Sequence, residues 1–498
     1  MDNRFYFGFN TSEERKKRRK AELYSMSEQV STFFWDEAPQ HGLEMREGQQ
    51  DMSFEIVDAL INDQHFAIEA GVGIGKSFGY LVPVLLYSKR MNKPVIIATS
   101  TIALQEQLWR DVHAVMPLLG LNRDVILAKG QTHYLCNKRA DEYMCDPKAD
   151  PPDALKEGIK QGYEERKDFP EVLPQGVWDK VNVQRFSMKN CGSCEKKCKY
   201  YKVRAALKFT DGVVLCNQDF LTQHLMKLRR GQEGLINAAA DLLVVDEAHN
   251  LDDKVRSATT ERFGQGMLFG MIKSAFYELR SFDQSSVSGE KREAESAIIA
   301  FYNCLKAQVQ KQINEAEQDM RYADRFFFDN NGSAIELLTE MNAAIHNLSS
   351  SIQIYSSMDF RNNRSFAASD DLDAVSESLS ELLDQIADML IWIEQHGSNT
   401  ELVYCPKNTK EIVSRLYFNG DERTILTSAT LTNATSGSLE EQYSYFISNT
   451  GFPAGDRGCL SEPKPSPYPY DEHAMIYYCD DLPHPTREHE AFIEKGVE

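Results

Sequence analysis

Residues Ile68-Glu69-Ala70-Gly71-Val72-Gly73-Ile74-Gly75-Lys76-Ser77 have the A-x-x-x-x-G-K-S spacing of a phosphate-binding P-loop, with Ala70 in the first glycine position. Apolar Phe66-Ala67-Ile68 precedes the loop, and the helical pattern Tyr80-Leu81-Val82-Pro83-Val84-Leu85-Leu86 follows it. That is the strand–loop–helix setting the motif requires. Small residues let the backbone N–H groups of the loop, Ala70 to Gly75, turn onto a triphosphate at a helix N-terminus. Lys76 is placed to reach the outer phosphates, and the Ser77 hydroxyl to hold Mg²⁺.

Two acids complete such a site. In Asp241-Leu242-Leu243-Val244-Val245-Asp246-Glu247-Ala248-His249, four apolar residues read as a strand buried on both faces of a parallel sheet. Asp246 and Glu247 emerge at its carboxyl end, where doubly wound sheets bind ligands. Asp246 suits Mg²⁺, directly or through water, and Glu247 suits orienting or deprotonating the attacking water. Catalysis is therefore assigned to Lys76, Asp246 and Glu247.

Taken in order, Glu69 to Ser77 and Asp246 to His249 resemble motifs I and II of a superfamily 2 helicase of the DEAH type, and more closely the DinG/XPD group of iron–sulfur helicases. Further segments match in sequence order. Arg46-Glu47-Gly48-Gln49 resembles the element that reads adenine, which implies ATP contacts for Arg46 and Gln49. Thr99-Ser100-Thr101 with Leu104-Gln105-Glu106-Gln107 resembles motif Ia, which implies DNA-backbone contacts for Thr99, Ser100 and Gln105. Thr427-Ser428-Ala429-Thr430-Leu431 resembles motif III, which links hydrolysis to movement through Ser428 and Thr430, with His249 as a further coupling residue. Val72 and Ile74 replace the more usual threonines, and Gln218 stands where the group often has His, so no catalytic role is carried onto it.

Ten cysteines are scattered along the chain. No signal-peptide pattern follows the basic run Arg15 to Lys20, and no apolar run is long enough to span a membrane, so a cytoplasmic location with metal or redox cysteines is expected. Cys136, Cys191, Cys194 and Cys198 suit a cubane cluster or Zn²⁺, and zinc is the commoner outcome of such spacing. The resemblance implies instead a [4Fe–4S] cluster, because the group carries four cysteines in an insertion between motifs Ia and II. Cys145 lies in the same insertion as a spare. Lys196, Lys197, Lys199, Lys202 and Arg204 are expected to face a phosphate backbone beside the cluster.

The chain has 498 residues and a net charge of −20, which argues against indiscriminate nucleic-acid binding but not against a basic track. The stretch between motifs II and III is too long for a loop. Its apolar residues, from Leu372 through Leu390 and Ile393, follow a helical period, and it resembles the all-helical Arch domain of the group. Residues 358–369 read as a link between its helices. The resulting layout is α/β, a RecA-like doubly wound parallel sheet with two insertions. Residues 1–40 form an N-terminal extension. The ATP-binding domain comprises 41–128, 206–255 and 400–450, the cluster insertion 129–205, and the Arch domain 256–399. Residues 451–498 hold a linker and the start of a second RecA-like domain, whose first strand is expected at Ala474–Tyr478.

By resemblance the protein couples Mg·ATP hydrolysis to 5′→3′ movement on single-stranded and forked DNA, in repair or replication. The remaining motifs of the second domain are expected from the rest of a longer gene or from a partner chain. The chain by itself is then expected to bind nucleotide but to turn it over slowly, since a missing arginine finger costs about 10³–10⁵ in rate. The alternative is a nucleotide-gated DNA-binding subunit without unwinding activity.

Overall fold

A computed structural model describes residues 12–44, 46–184, 186–279, 281–316, 323–330, 332–357, 367–455 and 457–469, together with scattered positions after 471 and the helix His489–Val497. In chain order the strands are β1 (His65–Glu69), β2 (Val95–Thr99), β3 (Val125–Leu127), β4 (Val213–Asn217), β5 (Leu242–Asp246), β6 (Glu261–Gly264), β7 (Arg325–Phe327), β8 (Met389–His396), β9 (Asn399–Pro406), β10 (Arg423–Ser428) and β11 (Gly458–Leu460).

Seven of these strands pair in parallel in the order β11-β1-β10-β5-β2-β4-β3. Successive side chains of a strand point to opposite faces, and here both faces are buried. Phe66, Ile68, Val95, Ile97, Val213, Leu215, Leu242 and Val244 pack on one side, under the helices Glu47–Ile61, Lys76–Met91 and Ile102–Leu118. Ala67, Ile96, Ala98, Val214, Cys216, Leu243, Val245 and Leu426 pack on the other, under Gln218–Arg229, Leu251–Ala258 and Lys410–Tyr417. Uninterrupted apolar runs therefore mark β1, β2, β4, β5 and β10 in the sequence. β3 and β11 have three residues each and lie at the two edges, where too little apolar pattern exists to identify them.

Pro83 sits inside the helix Lys76–Met91 and has no N–H for the Gly79 carbonyl one turn back. The Ser53 hydroxyl donates to that carbonyl at 2.6 Å, so the orphaned group is satisfied from the neighbouring helix. The N-terminal stretch is not a mere extension. Leu23, Met26, Val30, Phe33, Phe34 and Ala38 are buried in the core beside the first layer of helices.

The second insertion is not all-helical. The helix Ala367–Asp384 stops short, and β8 pairs antiparallel with β9 across the Gly397–Ser398 turn, where Gly397 has φ +60°. β6 and β7 flank this hairpin, giving a four-stranded antiparallel sheet β6-β9-β8-β7. Leu390 and Ile393 fit a helical period, but β-branched and aromatic Ile391-Trp392-Ile393 followed by a glycine turn favours a hairpin. The sheet packs through Phe263, Phe326, Ile393 and Leu402 against the helices Ser288–Glu315, Ser333–Ser357 and Ala367–Asp384. Because β9 belongs to this sheet, the chain rejoins the parallel sheet only after Pro406, not at residue 400. Residues 358–366 of the expected link, and the strand expected at Ala474–Tyr478 apart from Met475, lie outside the described residues.

Candidate nucleotide site

The sheet order brings the sequence motifs together. β10 lies between β1 and β5, with Ser428 opposite Glu69 and Thr427 opposite Asp246. Three carboxyl ends, leading into the P-loop, the acidic pair and the Ser428 segment, therefore sit side by side.

Lys76 Nζ meets Glu247 Oε1 at 3.0 Å across the cleft, with both side chains largely buried. Glu247 is held in the left-handed region at φ +57°, uncommon for a residue with a Cβ and here enforced by its surroundings. Its N–H donates to Asp246 Oδ1 at 3.0 Å. The amide of Gln218 donates to the carbonyls of Asp246 at 2.7 Å and Glu247 at 3.1 Å, so this residue shapes the turn that aims the two acids. Tyr80, fully buried, donates its hydroxyl to Asp246 Oδ2 at 3.3 Å. Burial pushes the Asp246 carboxyl up to about 6, with the Lys76 ammonium opposing the rise and Glu247 adding to it. Burial raises the Asp111 carboxyl near the P-loop helix.

The Ser428 hydroxyl donates to Glu247 Oε2 at 3.3 Å, and His249 Nδ1 lies 2.6 Å from the same hydroxyl and 3.3 Å from Glu247 Oε2. Thr430 enters through its backbone N–H, 3.4 Å from Ser428 Oγ. The far end of this loop is fixed by Glu69, whose Oε2 accepts from Leu431 N and Thr432 N at 2.6 Å each and from Thr432 Oγ1 at 2.9 Å. Tyr80, Glu69 and Gln218 are contributors that motif reading passed over. Glu69 and Tyr80 stand in or beside the P-loop, but nothing in their spacing distinguishes them from ordinary strand and helix residues.

Gln49 donates to the Gly75 carbonyl at 2.9 Å and so braces the loop. With Arg46 it also lines a cavity of about 220 Å³ whose other walls are Phe33, Ala38, Leu43, Glu44 and Phe78. Phe33 and Ala38 come from the N-terminal stretch, so that stretch helps to form the site.

The DNA-facing assignments need correction. Thr99 and Gln105 are completely buried. Thr99 ends a strand covered on both faces, and Gln105 points inward from its helix to donate to Ala128 O at 2.8 Å. Ser100 is half-buried. The basic lobe is also less available than expected. Lys196 pairs with Asp141 at 2.6 Å, Lys199 with Glu165 at 2.5 Å and Lys202 with Glu164 at 3.8 Å, while Arg204 is buried and donates to Leu235 O.

The cysteine insertion has two small cores. One gathers Leu135, Leu155, Phe169 and Trp178, and the other sets Tyr134, Val183 and Tyr200 against Cys136 and Cys198. Burial raises the Cys198 thiol, and the neighbouring Cys136 and Cys191 raise it further. Cys194 follows on the same turn, its N–H bonding Cys191 O at 3.1 Å. Among the described residues no group of three or more His, Cys, Asp or Glu is spaced to hold a metal ion. No helix among them is long and apolar enough to cross a membrane.

A parallel α/β sheet with a P-loop, an acidic pair and a sensing loop on three adjacent strands defines a RecA-like helicase nucleotide domain. The DEAD_2 family matches residues 132–266. Over 483 residues the chain is 24% identical to the probable ATP-dependent helicase YpvA of Bacillus subtilis, covering 90% of this chain and 69% of that protein. It is 30% identical over 242 residues to the ATP-dependent helicase DinG of Mycobacterium tuberculosis, covering 43% of this chain and 35% of the relative. Against the ATP-dependent DNA helicase YoaA of Escherichia coli it is 30% identical over 240 residues, covering 45% and 36%. These matches make the chain similar to DinG-type ATP-dependent helicases. The matches span about a third of the length of the DinG and YoaA proteins.

Proposed function

We propose that the chain is the nucleotide-hydrolysing part of an ATP-driven DNA helicase that moves 5′→3′ on single-stranded DNA, in repair or replication. The observation that carries this reading is the convergence of Lys76, Asp246, Glu247, His249 and Ser428 on three neighbouring strand ends.

Before nucleotide arrives, Glu247 balances the Lys76 charge. An incoming triphosphate competes for the ammonium and frees the carboxylate to orient water. Ser428 and His249 touch that same carboxylate, so the Glu247 side chain cannot swing without disturbing the loop that Glu69 anchors. Adenine fits the cavity between Arg46, Phe33 and Phe78. The Ser77 hydroxyl and the Asp246 carboxylate, which Tyr80 holds, are hard oxygen donors suited to Mg²⁺, which neutralises phosphate charge when bound. The thiols of Cys136, Cys191, Cys194 and Cys198 are the donor type of a [4Fe–4S] cluster; they are not spaced to hold a metal in this structure, and drawing them together on a cluster would tie a lobe with little core of its own.

The test is equilibrium binding of Mg·ADP and steady-state ATP hydrolysis with and without single-stranded DNA, on the chain and on Lys76→Ala. Loss of binding in the variant and slow but DNA-stimulated hydrolysis in the parent are expected. Unchanged nucleotide affinity in Lys76→Ala would refute the site. Binding without DNA-stimulated hydrolysis would instead favour the nucleotide-gated clamp.

A further inference from the structure

After β11 the chain runs on, still parallel to the segment that follows β1, and passes alongside the P-loop. Lys464 N–H donates to Glu69 O at 2.9 Å, and Gly71 N–H donates to Lys464 O at 2.9 Å, extending the sheet pairing by one bridge at Ala70. The Ser466 hydroxyl donates to Val72 O at 2.7 Å and accepts from Tyr468 N–H at 3.2 Å. The Tyr468 ring lies against Gly73, which has φ +90°. A Cβ there would come within 2.1 Å of Tyr468 Cε2, and one on Gly71 within 2.6 Å of Ser466 N. The strap is fastened to the helix Glu47–Ile61 by Lys464 Nζ, 2.8 Å from Glu55 and 3.7 Å from Asp51. That helix also carries Gln49, which holds the opposite end of the loop at Gly75.

The contacts fall on Gly71, Val72 and Gly73, and two of these are glycines. Gly71 and Gly73 have no side chain to resist backbone rotation, and the strap supplies the walls that define their positions. Phosphate binding draws loop N–H groups onto the ligand, so peptide reorientation at Val72 or Gly73 alters the partners of Ser466 and Tyr468. Linkage makes the effect reciprocal: if nucleotide orders the strap, an ordered strap strengthens nucleotide binding by the same factor.

We infer that Lys464–Tyr468 is a second output of the nucleotide site, separate from the Glu247–Ser428 route, which carries the state of the P-loop into the polypeptide beyond Pro469. Ser466 and Tyr468 are positioning residues, acting through the loop backbone. The inference rests on the nucleotide-site reading proposed above.

The experiment is hydrogen–deuterium exchange of the chain with and without saturating Mg·ADP, alongside titration with a fluorescent ADP derivative, for the parent, Ser466→Ala, Tyr468→Ala and Tyr468→Phe. In the parent, Mg·ADP should slow exchange in both the loop peptide, 70–78, and the strap peptide, 461–469. Tyr468→Ala and Ser466→Ala should each weaken ADP by about fivefold, the size of one net intramolecular contact, and abolish the strap response. Tyr468→Phe should keep both. A strap that exchanges at the same rate with ADP bound, while the loop peptide slows, overturns the inference and leaves the nucleotide site intact. Failure of the parent to bind the ADP derivative overturns the nucleotide-site reading, and the strap's role with it.

Discussion

His65 opens β1, the strand that delivers the P-loop, and it is completely buried. Its Nδ1 accepts from Thr424 N–H at 3.0 Å, and its Nε2 lies 3.2 Å from Phe418 O, with the Phe418 ring edge-on at 5.3 Å. Only a neutral ring protonated at Nε2 satisfies both partners, because a proton on Nδ1 would face the Thr424 donor. Burial, reinforced by Arg423 and Arg457, lowers the imidazole from 6.5 to about 4. The unfolded chain therefore binds a proton that the folded one refuses. Stability from this group is full above pH 6.5 and is lost as pH falls toward 4, below which it is constant. At about 1.4 kcal/mol per pH unit the full loss is about 3 kcal/mol, and about 2 kcal/mol is gone at pH 5. Asp246 acts in the opposite sense across part of this window, since its raised carboxyl favours the folded state as pH falls from about 6. A direct comparison with His65→Asn cancels that contribution. Asn keeps an acceptor for Thr424, and the Phe418 carbonyl retains its 2.9 Å bond from Arg457. Urea unfolding at pH 7.5 and pH 5.0 should show the parent losing about 2 kcal/mol more than the variant. Equal losses would show that the folded chain does not hold this imidazole neutral.

Glu247→Gln should retain Mg·ADP binding while single-turnover ATP hydrolysis falls by roughly 10²–10⁴, the usual contribution of a positioned base. Ser53→Ala leaves the Gly79 carbonyl without a donor opposite Pro83 and should lower unfolding stability by about 1–3 kcal/mol in a denaturant titration. Anaerobically purified protein should be brown with about four irons per chain, and Cys198→Ser should lose both colour and iron. A colourless parent containing zinc would replace the cluster with a tetrahedral zinc site.

The chemical core was legible because a P-loop and a strand ending in two acids are local patterns. Each places its residues within one turn, and the requirement that both serve one triphosphate supplies the tertiary contact between Lys76 and Glu247. The expected strands were legible for a related reason, since burial on both faces demands continuous apolar runs. What escaped was set by neighbours distant in the chain. Gln105 belongs to a motif associated with DNA, but its helix turns it toward Ala128 and Leu215, and no periodicity separates an inward Gln from an outward one. Leu390 and Ile393, three apart, satisfy the helical period, but in β8 they point to opposite faces, Leu390 outward and Ile393 into the core, and the Gly397 turn closes the hairpin that overrides the helical reading. Lys196, Lys199 and Lys202 of the cysteine lobe read as a phosphate-binding surface until their carboxylate partners, Asp141, Glu165 and Glu164, are seen to come from other turns of the same lobe.

The order of strands has a further consequence for how the site is assembled. β5 and β10 are adjacent, yet Arg423 follows Asp246 by roughly 180 residues, and each doubling of such a loop costs only about 0.6 kcal/mol of closure entropy. The chain can therefore reach β10 late, provided that the intervening insertion folds on its own core rather than competing for the parallel sheet. That core, with Phe301, Leu338, Ile345, Ile393 and Leu402 completely or nearly completely buried, is separate from the two cores of the nucleotide domain. Ser428 nevertheless depends on it, because β9 hands the chain directly to the helix Lys410–Tyr417 and then to β10. Ile393→Ala, far from any phosphate contact, should remove about 2–5 kcal/mol from the insertion. Native-state hydrogen exchange should show that loss in β8 and β9 while β1 and β5 remain protected. Equal loosening of β1 would mean that the insertion and the nucleotide domain unfold as one unit.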